Sequence, residues 1–555
     1  MKYLIIISTL MFAFAEGVKA QSAAVKNAAK SVFKLTTYKS DGTVSATSNG
    51  VFIGENGECI SSLQPFIGAA RAVVTDAKGK DMNVTRILGI NDIYDMARFK
   101  VDGKTTPSSV APAASVSGSQ VWLLPYSVKT PAITAATIKS VETFMNKYAY
   151  YIITQNAPDG TDACPFVNSD GQVIGLMKRS STNTDIYATD AKFAMSLNTN
   201  GLSFSNITMQ KIGIPAALPK EKDQAMLALI ISEQSKDSVK LAATVDDFIA
   251  RFPDVIDGYV SKAQIHVNAN RFNEAEKEMN TAIKNVSKKD EAHYNYSKII
   301  YNKEIYKGDI PYSAWSLDTA LDEINKAYDM NPLATYKHQK AQIIFSKGEY
   351  SKAYDMFMEL TKSDIRNPEL FFEAARCKQM MKAPAKETIA LLNSAINNTD
   401  TLRIREAAPY FFARAEAYNS IDSFRQAVFD YTRYEILSER NVGADFYYIR
   451  EQAEVKSKLY KQALIDITTA ILLEPKEPTY YAEKASLELK VNMPEDAGKT
   501  AELCIKVAPE YSDGYLILGL AQMRLNKKQE GLANLEKAKE LGNPQAQALI
   551  DKYSK

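Results

Sequence analysis

Two different patterns of apolar and polar positions divide the chain. In the first part, short runs with alternating apolar residues are separated by Gly, Asn, Asp and Ser, which is typical of β-strands joined by turns. The runs cover residues 31–38, 51–53, 72–75, 121–125, 150–154 and 173–177. Many short strands of this kind predict an all-β barrel or sandwich.

From residue 256 onward, small residues recur with a period of roughly 34 residues. Each unit has one small residue in a first helix, a second one twelve positions later and a third one seven positions beyond that. The series with the clearest spacing are Ala263, Ala275, Ala282; Ala341, Ala353, Leu360; Ala415, Ala427, Tyr434; Ala485, Ala497, Cys504; and Gly519, Gly531, Ala538. Small side chains let two antiparallel helices approach closely, so the spacing predicts eight stacked helix pairs.

These residues resemble the tetratricopeptide repeat (TPR) family. The resemblance implies an α-helical solenoid over residues 224–555, with a capping pair at 224–253, a closing helix at 545–553 and a concave groove that binds proteins or peptides. It places Phe372, Phe412 and Tyr448 on the groove, where they would suit an apolar peptide. The alternative is that these three rings pack on neighbouring helices. The Lys/Asn pattern of repeats that clamp a terminal carboxylate is not apparent.

Four segments of the β-rich part resemble the HtrA-like branch of trypsin-fold (S1-type) serine proteases. They are Gly50 to Ser62, Asp92 to Val101, Val121 to Val141 and Gly160 to Gly175, in the family's order. The resemblance implies a trypsin-like double β-barrel over residues 21–213. The complete fold expected is therefore an all-β double barrel followed by a TPR solenoid, joined by a proline-containing linker and hinge at 214–223.

The same resemblance implies that the catalytic residues are lost. The family's histidine position falls on Gln64, whose amide cannot accept a proton near neutral pH. The serine position falls on Asp162, which is a poor nucleophile and lies beside the family's oxyanion-hole amides of Gly160 and Asp162. Only Asp95 matches the family's aspartate, and without an imidazole to orient it would hydrogen-bond backbone instead. We therefore expect a pseudoprotease.

A second argument needs no alignment. The chain has three histidines, His266, His293 and His338, and residues 1–265 contain none. A Ser-His-Asp or Cys-His pair therefore cannot form inside the β-rich part. A histidine reaching in from the solenoid and a Ser-Lys arrangement are the two alternatives that remain.

Four cysteines are present, and their spacing shows no metal-binding motif. In the trypsin-like frame Cys59 and Cys164 lie near the old active site, so they either form a disulfide or are two separate buried thiols. We expect no metal and no cofactor. With 24% charged residues and a net charge of +2, the chain lacks the basic excess of a nucleic-acid-binding protein.

The first twenty residues predict a secretory signal peptide, residues 1–20. Lys2 precedes a short apolar run from Leu4 to Phe14, and Val18 and Ala20 fit a signal peptidase site. No later run is long and apolar enough for a transmembrane helix. We therefore expect an exported protein of the periplasm or cell surface.

Three classes of function follow from these expectations. The first is a non-catalytic scaffold that binds proteins or peptides through the groove and the inactive protease-like domain. The second is an atypical peptidase of the cell envelope. The third is a structural subunit of a larger envelope complex.

Overall fold

The computed structural model describes residues 22–154, 158–179, 185–235 and 237–554. The predicted signal peptide lies outside these residues. The chain divides into two compact units, one up to Ala292 and one from His293 onward.

Twelve β-strands form two closed barrels of six strands each in the first unit. The strand order is β1-β2-β3-β6-β5-β4 in the first barrel and β10-β11-β12-β9-β8-β7 in the second. The strands are β1 Val32–Tyr38, β2 Val44–Phe52, β3 Glu58–Ser61, β4 Arg71–Thr75, β5 Asp81–Asn91, β6 Met96–Val101, β7 Gln120–Leu123, β8 Thr134–Phe144, β9 Tyr148–Thr154, β10 Pro165–Val167, β11 Val173–Arg179 and β12 Ile186–Asp190. All strand pairs within the barrels are antiparallel, as alternating strands joined by short turns require.

Each barrel has its own apolar core. Phenylalanines dominate the first core, where Phe33 lies 4.7 Å from Phe52 and Phe66 lies 4.9 Å from Phe99 between ring centroids. A third cluster contains residues of both barrels, including Val51 from β2 and Val167 from β10. Burial of this shared cluster joins the barrels and fixes the junction where a trypsin-like site would lie.

Gly50 shows why a particular residue is needed in the first barrel. It pairs with Phe33 across β1 and β2, and a Cβ atom at position 50 would lie 2.4 Å from the Phe33 ring. Any larger residue would therefore displace the ring from the core.

Helices make up the rest of the chain. Three short ones belong to the barrel region: α1 Ala23–Ala28, α2 Ala191–Ser196 and α3 Ile207–Lys211. The others are α4 Lys222–Glu233, α5 Ser238–Arg251, α6 Ile256–Asn268, α7 Phe272–Asn285, α8 Lys289–Tyr306, α9 Leu317–Met330, α10 Ala334–Ser346, α11 Tyr350–Leu360, α12 Pro368–Met380, α13 Ala385–Asn397, α14 Ala408–Asn419, α15 Phe424–Leu437, α16 Ala444–Lys456, α17 Tyr460–Leu473, α18 Pro478–Lys490, α19 Pro494–Val507, α20 Ser512–Arg524, α21 Lys528–Glu540 and α22 Ala546–Ser554.

The small residues that define the sequence repeat lie where paired helices meet. Ala341, Ala353, Ala415 and Ala427 are fully buried. In the last pair, a Cβ atom at Gly519 would lie 3.0 Å from the carbonyl oxygen of Gly531, and the reverse distance is the same. The helices therefore approach as closely as their backbones allow, which is why small residues recur at these positions.

The fold class predicted from the sequence is confirmed. An all-β double barrel is followed by a helical repeat array in which pairs run from α6/α7 to α20/α21, with α4/α5 ahead of them and α22 at the end. Within the described residues, no helix is both long enough and apolar enough to cross a membrane.

The predicted linker at 214–223 is hydrogen-bonded to the first barrel. Ile87 donates its amide to the carbonyl of Pro215 at 2.9 Å, and Ala217 donates to the carbonyl of Ile87 at 2.7 Å. Thr199 adds a side-chain bond to the Ala217 carbonyl at 2.7 Å. This segment continues the sheet edge of β5, and its backbone does not have the freedom that a hinge needs.

The disulfide alternative for Cys59 and Cys164 is not realised. Both are free, fully buried thiols, and they lie in the separate cores of the first and second barrel. Burial raises the pKa of Cys59 well above its usual range and that of Cys164 to about 12. Each behaves as a small apolar core residue, which was the other alternative.

Candidate functional site

The three residues at the predicted catalytic positions line a single cavity. Gln64, Asp95 and Asp162 surround a space of about 290 Å³. They come from the turn after β3, the loop before β6 and the loop before β10, which are far apart in sequence. The double barrel thus brings together the positions that the resemblance aligned.

Asp95 is engaged by backbone. Its Oδ1 atom accepts hydrogen bonds from the amides of Leu63 at 3.0 Å and Gln64 at 2.9 Å. Its own backbone has a φ of 51°, an uncommon conformation for a residue other than glycine. The carboxylate therefore fixes the turn after β3, and the Gln64 side chain is exposed to the solvent.

Asp162 forms an ion pair with Arg179, the last residue of β11. The Arg179 Nε atom lies 3.1 Å from its Oδ1 atom, and Arg179 also donates to the carbonyl of Pro158. The negative charge expected at the nucleophile position is therefore largely balanced by a guanidinium. Both side chains are solvent-exposed, so the pair contributes little to the free energy of folding.

The loop around Asp162 is held from the first barrel. The Asn49 side chain donates to the carbonyls of Gly160 at 2.8 Å and Asp162 at 3.0 Å. In the part of the chain that the structure describes, the backbone amides of Gly160 and Asp162 donate no hydrogen bond. Two unengaged amides therefore remain where the protease resemblance places the oxyanion hole.

The cavity also contains hydroxyl groups but no imidazole. Ser48 and Ser62 lie with their Oγ atoms 3.1 Å apart on its wall. A hydroxyl needs a neighbouring base to become a nucleophile, and a second hydroxyl is not one. The described groups around this cavity can bind polar atoms of a ligand by hydrogen bonds and charge.

A second pocket of about 240 Å³ adjoins the cavity and shares Tyr94, Lys178 and Thr189 with it. Its wall includes Phe144, whose ring lies 4.1 Å from that of Tyr94. Ile93 at its edge is 80% exposed. The two spaces together form a cleft with a polar and an aromatic half, which suits an extended peptide with an apolar side chain.

A larger cavity of about 1030 Å³ lies elsewhere in the first unit, between the first barrel and helices α4 and α5. Its charges are largely compensated within the protein. Arg86 pairs with Asp247 at 2.8 Å, and Arg98 pairs with Glu58 at 2.9 Å. The Arg86–Asp247 pair links β5 to α5, and this cavity shares no lining residue with the one at the catalytic positions.

The three aromatic residues predicted to line the groove pack against neighbouring rings. Phe372 lies 5.0 Å from Tyr410, and Tyr448 lies 5.4 Å from Tyr480, both between successive first helices. Phe412 instead contacts Tyr434 of α15, within its own helix pair, at 5.0 Å. All three are half-buried, so packing between helices accounts for most of their surface.

One pocket in the second unit was not found from the sequence. It has a volume of about 320 Å³ and is lined by side chains of α8, α10, α11 and α12, namely Tyr301, Asn302, Tyr306, Gln342, Phe345, Phe357, Glu369, Glu373 and Arg376. The spacing of repeats cannot reveal it, because Tyr306 lies at the C-terminal end of α8, which is longer than the other first helices. Groups of acidic, His and Cys side chains able to hold a metal ion are absent from the described residues.

Comparisons with known proteins give partial matches to two Hsp70-Hsp90 organizing proteins. No model of a protein family matches the chain. A stretch of 113 residues is 29% identical to Hsp70-Hsp90 organizing protein 2 of Arabidopsis thaliana and covers 20% of this chain and 18% of that protein. A stretch of 259 residues is 21% identical to the Hsp70-Hsp90 organizing protein of Triticum aestivum and covers 45% of this chain and 42% of that protein. The chain thus spans less than half the length of these relatives.

Among solved structures, the serine endoprotease of Yersinia pestis matches 31% of this chain and 62% of that chain, with 17% identity and a TM-score of 0.27. A score this low supports no inference about activity. The double-barrel fold rests on the strand pairing described above.

Proposed function

We propose that this protein is an exported, non-catalytic scaffold that binds other proteins or peptides through its helical repeats and its protease-like cleft. One observation carries the proposal. The cavity at the predicted catalytic positions holds Gln64, Asp95 and Asp162, and the chain has no histidine before residue 266. An imidazole base is therefore missing from the residues before His266, while surfaces that suit peptide binding are present.

The binding role draws support from the repeats. The relatives with which the chain shares part of its sequence are named Hsp70-Hsp90 organizing proteins. Stacked helix pairs present long continuous surfaces, and proteins with such arrays commonly use them to hold partners. We extend this role to the present chain and assign the cleft between the barrels a second peptide-binding role, by addition of a strand.

A protease assay tests the absence of catalysis. We expect the purified protein to release no more fluorescent fragments from labelled casein than buffer does. The variant Asp162→Ala and the control Asp170→Ala, at an exposed turn outside the cavity, should give the same baseline. Cleavage by the wild-type protein that Asp162→Ala removes and Asp170→Ala retains would contradict the proposal.

The second candidate is an atypical peptidase of the cell envelope, and the unengaged amides of Gly160 and Asp162 favour it. Such donors stabilise an oxyanion during peptide hydrolysis. The assay above separates the two candidates, since only the peptidase loses activity when the cavity is altered.

Binding is tested with the full-length protein. Photo-reactive groups are placed in the repeats or in the cleft, and crosslinked proteins from the native cell are identified by mass spectrometry. Both positions should recover the same partners. If neither position yields a crosslinked partner, the scaffold proposal is rejected.

A further inference from the structure

The pocket formed by α8, α10, α11 and α12 combines aromatic walls with acidic groups. Tyr306 is 80% exposed on its rim, whereas Phe357 at its base is 1% exposed. Tyr301 is held by a contact of 3.2 Å between its hydroxyl and that of Ser346. An exposed tyrosine beside fixed aromatic side chains leaves room for a ligand that stacks on ring faces.

Two carboxylates of α12 face this space. Glu373 is 8% exposed, and its oxygens bond to His338 at 2.6 Å and to Gln342 at 2.7 Å. Glu369 accepts a bond from the Tyr410 hydroxyl at 2.9 Å with one oxygen. Its other oxygen has no hydrogen-bond partner within the described residues. One carboxylate is thus fixed, and the other keeps an acceptor for a ligand.

The charges at the pocket are not balanced. Burial, together with the neighbouring charge of Glu373, raises the pKa of Glu369. The one arginine in the lining, Arg376, lies over the Phe345 ring at 5.0 Å and forms no ion pair among the described residues. A further positive charge would therefore be stabilised here, by the carboxylates and by the ring faces together.

Carboxylates also occur on first helices farther along the chain. Glu451 of α16, Glu483 of α18 and Asp513 of α20 interact electrostatically along the series, with Lys490 as a nearby cation. Burial raises the pKa of Glu451 to about 7 and also raises that of Glu483. Carboxylates thus recur on the first helices α16, α18 and α20 beyond the pocket.

We propose that the pocket of α8, α10, α11 and α12 binds a Lys or Arg side chain of a peptide segment that lies along the first helices. The aliphatic stem packs on Tyr301 and Tyr306, and the cationic group meets Glu369. A volume of about 320 Å³ accommodates one long side chain and the adjoining backbone. This inference rests on the proposed binding function and names the chemistry of its ligand.

Binding of three labelled peptides tests the inference. They are twelve-residue probes of one sequence that differ only in carrying Lys, Gln or Glu at three positions, and fluorescence anisotropy with the full-length protein gives their Kd values. We expect the Lys probe to bind about tenfold more tightly than the Gln probe, and the Glu probe to bind most weakly. Equal affinity for the Lys and Gln probes, or tighter binding of the Glu probe, would overturn the inference.

Three variants assign the preference to the pocket. Tyr306→Ala changes an exposed side chain, and Glu369→Gln keeps an oxygen that can accept from the Tyr410 hydroxyl, so both variants should fold. Each should reduce the affinity for the Lys probe to that for the Gln probe. Glu502→Gln, at an exposed site of α19, is the matched control and should change nothing. A Lys preference that survives both pocket variants would also overturn the inference.

Failure of this inference and failure of the proposed function give different results. If none of the probes binds while crosslinking still recovers partners, the ligand chemistry is wrong and the scaffold function stands. If neither probes nor partners bind, both are wrong.

Discussion

At the scale of single residues, the partners of a carboxylate decide what it can do. Asp95 accepts two backbone amides, so its charge stabilises a turn, and Asp162 faces the guanidinium of Arg179. The sequence could indicate that Asp95 binds backbone amides, because without an imidazole an aspartate at that position has only backbone to bind. The sequence could not indicate the ion pair of Asp162, because nothing in the spacing of Asp162 and Arg179 distinguishes an ion pair from two solvated charges.

Gly519 allows a prediction at the same scale. A Cβ atom there would lie 2.9 Å from the Leu535 side chain and 3.0 Å from the carbonyl of Gly531, so Gly519→Ala forces α20 and α21 apart. We expect the free energy of unfolding to fall by about 1–3 kcal/mol, measured by urea denaturation followed by circular dichroism.

Gly498 provides the matched control. It lies within α19, and a Cβ atom there would meet its nearest neighbour at 3.9 Å, which is ordinary contact. Gly498→Ala should therefore stabilise the protein, by up to about 1 kcal/mol, through helix propensity alone. Equal effects of the two substitutions would show that close helix approach does not explain the repeat glycines.

At the scale of elements, the sequence repeat predicted the helix pairs well, because the close approach of paired helices sets the spacing of the repeat. Small residues must lie where backbones meet, and Phe272, Tyr350, Phe424 and Tyr460 each begin the second helix of a pair. The neighbours that the aromatic side chains of the first helices contact were less predictable. Phe412 has the same place in its helix as Phe372, yet it packs within its own pair, since ring contacts depend on neighbours that the repeat does not specify.

A buried charged cluster joins α15, α16 and α17. Arg450 lies 2.6 Å from Asp466 and 2.7 Å from Glu435, while Glu454 is 3% exposed and lies 4.0 Å from Arg450. Burial, with the charge of Asp466, raises the pKa of Glu454 to about 8. Glu451 of the same helix also faces this group. The three helices therefore enclose more acidic groups than Arg450 can balance.

This cluster predicts how stability depends on pH. The folded protein holds a proton on Glu454 up to about pH 8, whereas the unfolded chain loses it near its usual pKa, so stability falls as pH rises between about 5 and 8. The slope from this group is at most about 1.4 kcal/mol per pH unit. Glu454→Gln should flatten the dependence and raise the melting temperature at pH 8, measured by circular dichroism.

The exposed substitution Glu502→Gln is the control for that experiment and should leave the slope as it is in the wild-type protein. If Glu454→Gln has an unchanged slope as well, the carboxyl group is ionised in the folded protein and the prediction is wrong.

At the scale of the whole molecule, the order of the parts could be read from the sequence, but not the way the chain passes from barrel to helices. Pro215 and Pro219 are typical of a linker, and composition alone favours a hinge. The hydrogen bonds between this segment and Ile87 depend on strand edges that are distant in sequence. Long-range pairing of this kind has no local signal in the sequence. Export of the protein stays a prediction.

Limited proteolysis measures how firmly the segment 214–223 is held by its hydrogen bonds to the first barrel. Trypsin can cut after Lys220 or Lys222, both of which are exposed, but a protease needs several residues of free backbone on each side of the bond. We therefore expect the native protein to resist cleavage there. Ala217→Pro removes the amide that donates to Ile87, and it should speed this cleavage about fivefold, because loss of roughly one hydrogen bond favours local opening. Cleavage at other tryptic sites of the same molecule is the internal control. If the wild-type protein is cut at Lys220 as fast as the variant, the segment is a free hinge after all, and the helices that follow the barrel are tethered rather than anchored to it.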